Sequence, residues 1–165
     1  MNRKNLFILA LTALSFMIGA CKKSGSNNSN CVTNNTGVPT SAEIASLQAY
    51  LTSKSITATQ HPGGFFYIII APGTGATPNL SSTITVKYSG TLENGSEFDH
   101  NSNPAGNTFP LAGLILGWQK GIPLIKKGGS IKLFLPPSLG YGCEQAGSIP
   151  PGSNTIFTID LIDVQ

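Results

Sequence analysis

Histidine and cysteine are scarce in this chain of 165 residues, which holds two histidines, His61 and His100, and three cysteines, Cys21, Cys31 and Cys143. There is no Gly-x-Ser-x-Gly turn and no His, Cys, Asp or Glu cluster at metal-ligand spacing. The familiar nucleophilic and metal-dependent chemistries therefore lack their residues, and neither a metal nor an organic cofactor is expected. His100, next to Asp99, reads as a solvent-exposed side chain. Charge is thin too, at 10% of residues. Once Arg3 and Lys4 near the start are set aside, eight basic residues face seven acidic ones, with no basic stripe to track phosphates. Nucleic acid is excluded as an expected partner on that ground. The adjacent Lys126 and Lys127 read as a solvated turn, and no heptad pattern argues for assembly. No apolar run reaches the roughly 20 residues of a membrane-spanning helix.

What the chain has at its beginning is a basic start at Arg3 and Lys4, an apolar stretch from Leu6 to Ile18, and then small residues. These are the three parts of a secretion signal, expected over residues 1–20. Ile18, Gly19, Ala20 and Cys21 resemble the lipobox of bacterial lipoprotein precursors, which implies acylation of Cys21 after cleavage. A plain signal peptide cut near Ala20 is the alternative. Several acyl chains on one residue hold a protein at a membrane far better than one, because each buried methylene adds about 0.8 kcal/mol. From Cys21 onward there are 145 residues, enough for one domain with an extension. Residues 21–39 are rich in Ser, Asn, Gly and Thr and read as a flexible tether, since they bury too little apolar surface to offset backbone ordering. Outside the cytoplasm Cys31 and Cys143 are candidates for a disulfide, a pairing the sequence alone leaves open.

Residues 40–62 are expected to hold an accessory helix and a connection. Thr40 and Glu43 have capping-box spacing, and Ile44, Leu47 and Leu51 fall on one helical face. That face should dock on the main domain, with partner binding or dimerisation as the alternative. Further on, Phe65 to Ala71, Thr83 to Leu92, Ser130 to Pro136 and Thr155 to Val164 are β-branched or aromatic-rich runs punctuated by Gly, Pro and Asn. Ile84, Val86 and Tyr88 alternate with Thr85 and Lys87, Ile131, Leu133 and Leu135 with Lys132, and Phe157, Ile159 and Leu161 share one side. One further helix is expected from Gly117 to about Ile125, too short to stand alone. Trp118, Ile122 and Ile125 should press it against an antiparallel sheet, which makes the fold α+β.

The most distinctive pattern is a set of aromatic residues on separate elements, Tyr88, Phe98, Trp118, Tyr141 and Phe157, with one acid, Asp99. Composition alone allows these to be core aromatics. Four blocks in order, Val86 to Asp99, Leu114 to Gly129, Leu135 to Gly142 and Ile149 to Val164, strongly resemble FKBP-type peptidyl-prolyl cis/trans isomerases, or rotamases. The resemblance covers about one hundred residues. It implies a domain over 63–165, with a twisted antiparallel sheet of about five strands wrapped around one short helix.

The resemblance also implies the roles. Trp118 would be the pocket floor, Tyr88, Phe98 and Phe157 its walls, Asp99 the pocket acid, and Tyr141 a hydroxyl donor to a substrate carbonyl. Leu114 and Ile115 would precede the helix, with the Ile115 amide as a second donor; Phe109 would be a wall and Ile149 the tip of a long loop. Between His100 and Thr108 there is no basic partner for Asp99, and the loop from Cys143 to Ser148 is about one residue short of the family pattern. The implied partners are Xaa-Pro polypeptides or unfolded exported proteins, macrolide inhibitors of the family, and a membrane reached through Cys21. A peptide-binding or chaperone module with little or no isomerase activity is the alternative.

Overall fold

The computed structural model describes residues 37–165. The expected signal segment, the acylated Cys21, Cys31 and most of the tether lie outside the described residues.

Helix α1 (Ser41–Ser53) opens on the expected capping box. The Thr40 hydroxyl accepts from the Glu43 amide at 3.2 Å, and the Glu43 carboxylate accepts from the Thr40 amide at 2.8 Å. Two orphan donors of the first turn are thereby satisfied.

Seven strands follow: β1 (Thr59–His61), β2 (Phe65–Ala71), β3 (Thr83–Leu92), β4 (Glu97–Asn101), β5 (Asn107–Pro110), β6 (Ser130–Leu135) and β7 (Thr155–Val164). They form one antiparallel sheet in the order β1-β2-β6-β7-β3-β4, with β5 also on β3. Three of the four apolar runs keep their expected bounds, and the fourth stops at Leu135, before Pro136, which has no N–H for a ladder. The sheet exceeds the expected count of about five because β1, β4 and β5 are short edge segments without apolar alternation. β4 pairs with residues 88–91 of β3 and β5 with 83–86, so they lie end to end along one edge.

The second helix, α2, spans Leu116–Gly121 and passes into a 3-10 turn at Ile122–Leu124. Pro123 explains the change, since it has no N–H to donate and its ring crowds the carbonyl four residues back. Gly117 and Gly121 lie one turn apart, and an added Cβ on either would run into the side chain of Leu135 or Leu133 on β6. Their bareness lets the helix lie directly on the sheet.

Alternation along the strands divides the apolar residues between two cores. On one face Trp118, Ile122 and Ile125 pack with Phe65, Ile84, Val86, Ile131, Leu133, Phe157, Ile159 and Leu161. On the other, Phe66, Phe134 and Ile156 receive Leu47 and Leu51 of α1. The accessory helix thus docks on the main domain, as expected, and does so on the sheet face opposite α2. Among the described residues no helix is long and apolar enough to cross a membrane.

Candidate active site

A cavity of about 220 Å³ opens between α2 and the sheet. Its walls are Tyr88, Asp99, Phe109, Leu114, Ile115, Trp118, Tyr141 and Phe157.

The aromatic rings form a continuous chain of edge-to-face contacts. Tyr88 meets Trp118 at 5.2 Å between centroids, Trp118 meets Phe157 at 5.3 Å, Phe157 meets Phe98 at 5.5 Å, and Phe98 meets Tyr141 at 5.9 Å. All four interplanar angles lie between 79° and 89°. Edge-to-face pairs at these distances contribute about 0.5–1.5 kcal/mol each beyond area burial.

Phe98 and Asp99 are consecutive on β4, so regular pleating would send them to opposite faces. A bulge changes that. Asp99 pairs with Gly90 and Glu97 with Thr91, which leaves Phe98 as the extra residue. A bulged strand twists locally and re-aims its side chains. Phe98 therefore reaches Phe157 and Tyr141 while Asp99 lines the cavity.

Asp99 is exposed, and its Oδ2 accepts from the Tyr88 hydroxyl at 2.9 Å. This phenol stands where the sequence offered no basic partner. Burial, then donation to Asp99, then the nearby charge of Asp99 push the Tyr88 phenol up to about 12. Burial, and secondarily Asp99, raise Tyr141 above its ordinary value of 10.0. Both hydroxyls stay protonated and able to donate at neutral pH. Among the described residues the buried Trp118 Nε1 has no hydrogen-bond partner, an uncommon state for a buried donor.

Leu114 and Ile115 occupy the turn into α2, with Ile115 as its N-cap residue. Gln119, which the sequence reading passed over, holds that turn by donating from Nε2 to the carbonyls of Leu114 at 2.7 Å and Ala112 at 3.2 Å. A glutamine one turn inside the helix is the only signal that could have pointed to it. Gly90, also unremarked, lies opposite both Asp99 and Phe157, and its missing side chain makes room for the rings of Phe98 and Phe157. Ile149 is 4% exposed, in a turn closed by its bridge to Ala146, and is not among the cavity walls. Cys143, two residues beyond Tyr141, is disulfide-bonded, and Cys31 lies outside the described residues. His100 is exposed and its Nδ1 lies 2.8 Å from Glu97 Oε1, while Lys127 pairs with Asp163.

Residues 75–162 match the family model of FKBP-type peptidyl-prolyl cis-trans isomerases, just over half of the chain. The chain belongs to that family. It is 45% identical over 104 residues to the FKBP-type peptidyl-prolyl cis-trans isomerase FkpA of Escherichia coli K12, an alignment covering 62% of this chain and 38% of the relative. The chain thus spans well under half the length of that curated relative. The crystal structure of Escherichia coli FkpA superposes with a TM-score of 0.67 at 37% identity, over 73% of this chain and 58% of the other. A peptidyl-prolyl cis-trans isomerase from Pseudomonas syringae pv. tomato superposes at 0.66 with 27% identity, over 78% of this chain and 97% of the other.

Proposed function

We propose that the protein is a peptidyl-prolyl cis/trans isomerase acting on Xaa-Pro bonds of exported or unfolded polypeptides. The observation that carries this reading is the aromatic cavity lined by one acid, Asp99, and two phenols, Tyr88, which donates to Asp99, and Tyr141.

Rotation about Xaa-Pro meets a barrier of about 18–20 kcal/mol from amide resonance and takes about tens to hundreds of seconds unaided. The reaction forms no bond to an outside group, so catalysis requires only that the twisted amide be held better than the planar one. A twisted amide has lost much of its charge separation, and an apolar cavity disfavours the planar state relative to it. Trp118, Tyr88 and Phe157 supply that environment and grip the proline ring, and Phe98, which is not among the cavity walls, backs Phe157 and Tyr141. Phe109 and Leu114 extend the apolar wall. The Tyr141 hydroxyl and the Ile115 amide hold flanking carbonyls, and Ile149 shapes the loop beyond them. Asp99 tunes the field around the twisted carbonyl and orients Tyr88; no proton transfer is assigned to it.

The same reading extends to location. The signal-like residues 1–20 and Cys21 support a lipid-anchored envelope protein with a tether over 21–39, an accessory region over 40–62 and the isomerase domain over 63–165. Of the other two cysteines, Cys31 is the one assigned as the partner of Cys143. Macrolide ligands of the family would occupy the same cavity.

The test is cis/trans exchange of a Leu-Pro or Phe-Pro peptide with the chain from Lys22 onward, beside an Asp99→Val, Tyr141→Phe double variant. Acceleration by the wild type, lost mostly in the folded variant, is expected. A folded wild type that binds peptides but leaves exchange unchanged across many sequences would instead be a binding or chaperone module.

A further inference from the structure

The segment between β6 and β7, residues 136–154, carries Tyr141, and both of its ends are tied to α1. At the near end, Glu43 Oε1 accepts from the Ser138 backbone N–H at 2.9 Å and from the Ser138 hydroxyl at 2.6 Å. At the far end, Asn154 Nδ2 donates to Ser46 Oγ at 3.2 Å and to Glu93 Oε1 at 2.7 Å. Glu43 and Ser46 are three residues apart and so lie on one side of the helix. Glu43 and Asn154 are only 6% and 8% exposed, and buried polar groups of this kind are held by specific partners.

These contacts are not what docks α1. Leu47 and Leu51, at 0% and 1% exposure, already bury it against Phe66, Phe134 and Ile156. Their effect falls on the segment they grip. Ser138 sits in the 3-10 turn Pro137–Leu139, and the Pro137 carbonyl accepts from Gly140 N at 3.0 Å and Gly142 N at 2.9 Å. Those two amides bracket Tyr141. Gly152 N in turn donates to the Gly142 carbonyl at 3.0 Å, which links the two ends of the segment.

We infer that α1 is a clasp that positions Tyr141, with Glu43 and Ser46 acting on the pocket through Ser138 and Asn154 while lining none of it. The catalytic half of this inference rests on the isomerase reading above. Its mechanical half does not.

Two measurements on the full protein test the clasp. In hydrogen exchange, Glu43→Ala should speed exchange of the Ser138, Gly140 and Gly142 amides about tenfold, the scale of coupling within one hydrogen-bond network, while β6 and β7 amides stay protected. Because Glu43 also caps α1, a Ser46→Ala, Ser138→Ala variant that leaves the capping box intact should show the same pattern more weakly. Unchanged loop amides, or loop and sheet amides rising together, would overturn the clasp. In peptide isomerisation, Glu43→Ala should lower kcat/KM in the wild-type background but not in a Tyr141→Phe background. A full loss in both backgrounds means that Glu43 does not act through Tyr141, and overturns the inference. A folded wild type without isomerase activity sinks the isomerase reading alone, and the exchange measurement then decides the clasp by itself.

Discussion

A Cβ added at Gly90 would sit 2.7 Å from two carbons of the Phe98 ring and 2.8 Å from one of Phe157. Those rings are consecutive members inside the aromatic chain, Phe98 against Tyr141 and Phe157 against Trp118, so they cannot part without disturbing Tyr141 and Trp118. Gly90→Ala is expected to lower stability by about 1–3 kcal/mol through overpacking, weaken near-ultraviolet ellipticity, and reduce isomerisation more than it reduces the melting temperature. The raised phenols give a second expectation. Since burial, and secondarily Asp99, raise Tyr141 above its ordinary 10.0, kcat/KM should show no phenol-dependent fall between about pH 7 and 9. At this scale the sequence was informative where chemistry is carried by large side chains. Tyr88, Asp99, Phe109, Leu114, Ile115, Trp118, Tyr141 and Phe157 all line the cavity. It was silent on Gly90, because a glycine in a strand looks like punctuation, and on the bulge at Phe98, because a one-residue register shift leaves no mark in composition.

Among elements, the same limit separates long strands from short ones. β2, β3, β6 and β7 are driven by apolar alternation that their own residues display, whereas β1, β4 and β5 form because a neighbouring strand offers them a ladder. Pairing imposed from outside cannot be read from three to five mostly polar residues that carry at most one phenylalanine each. The α1 cap was legible because Thr40 and Glu43 satisfy each other locally; the contacts from Glu43 to Ser138 and from Ser46 to Asn154 cross the whole domain and were not. Helix α2 is set by what it lacks. Gly121→Ala would place a Cβ 2.6 Å from Leu133 Cδ2, in a core where Leu133 is fully buried. The gain in helix propensity of about 1 kcal/mol should be outweighed by about 1–3 kcal/mol of overpacking. A lower melting temperature with altered Trp118 fluorescence is the expected result.

For the molecule as a whole, acid is the condition to which the two-sided architecture should respond first. Burial pushes the Glu43 carboxyl up, but hydrogen bonds from Ser138 and Thr40 outweigh it and hold the group below its ordinary 4.5. A carboxylate with a depressed folded value contributes stability that is complete above the unfolded value and is lost as pH falls through the folded one. Melting temperature should therefore drop below about pH 4.5, and Glu43→Gln, less stable by about 1–2 kcal/mol at neutral pH, should be less acid-sensitive than wild type. The order of the strands has a separate outcome during biosynthesis. β7 follows all the other strands in sequence, yet it lies inside the sheet between β6 and β3 and brings Phe157 with it. Until residues 155–164 leave the ribosome, β3 and β6 lack a shared neighbour and the cavity lacks a wall. Pairings this distant in sequence form on about the millisecond-to-second scale. A nascent chain built this way cannot complete its sheet until β7 is available, and a chain with an incomplete sheet can still be drawn out as a thread where a finished domain would have to be unravelled first.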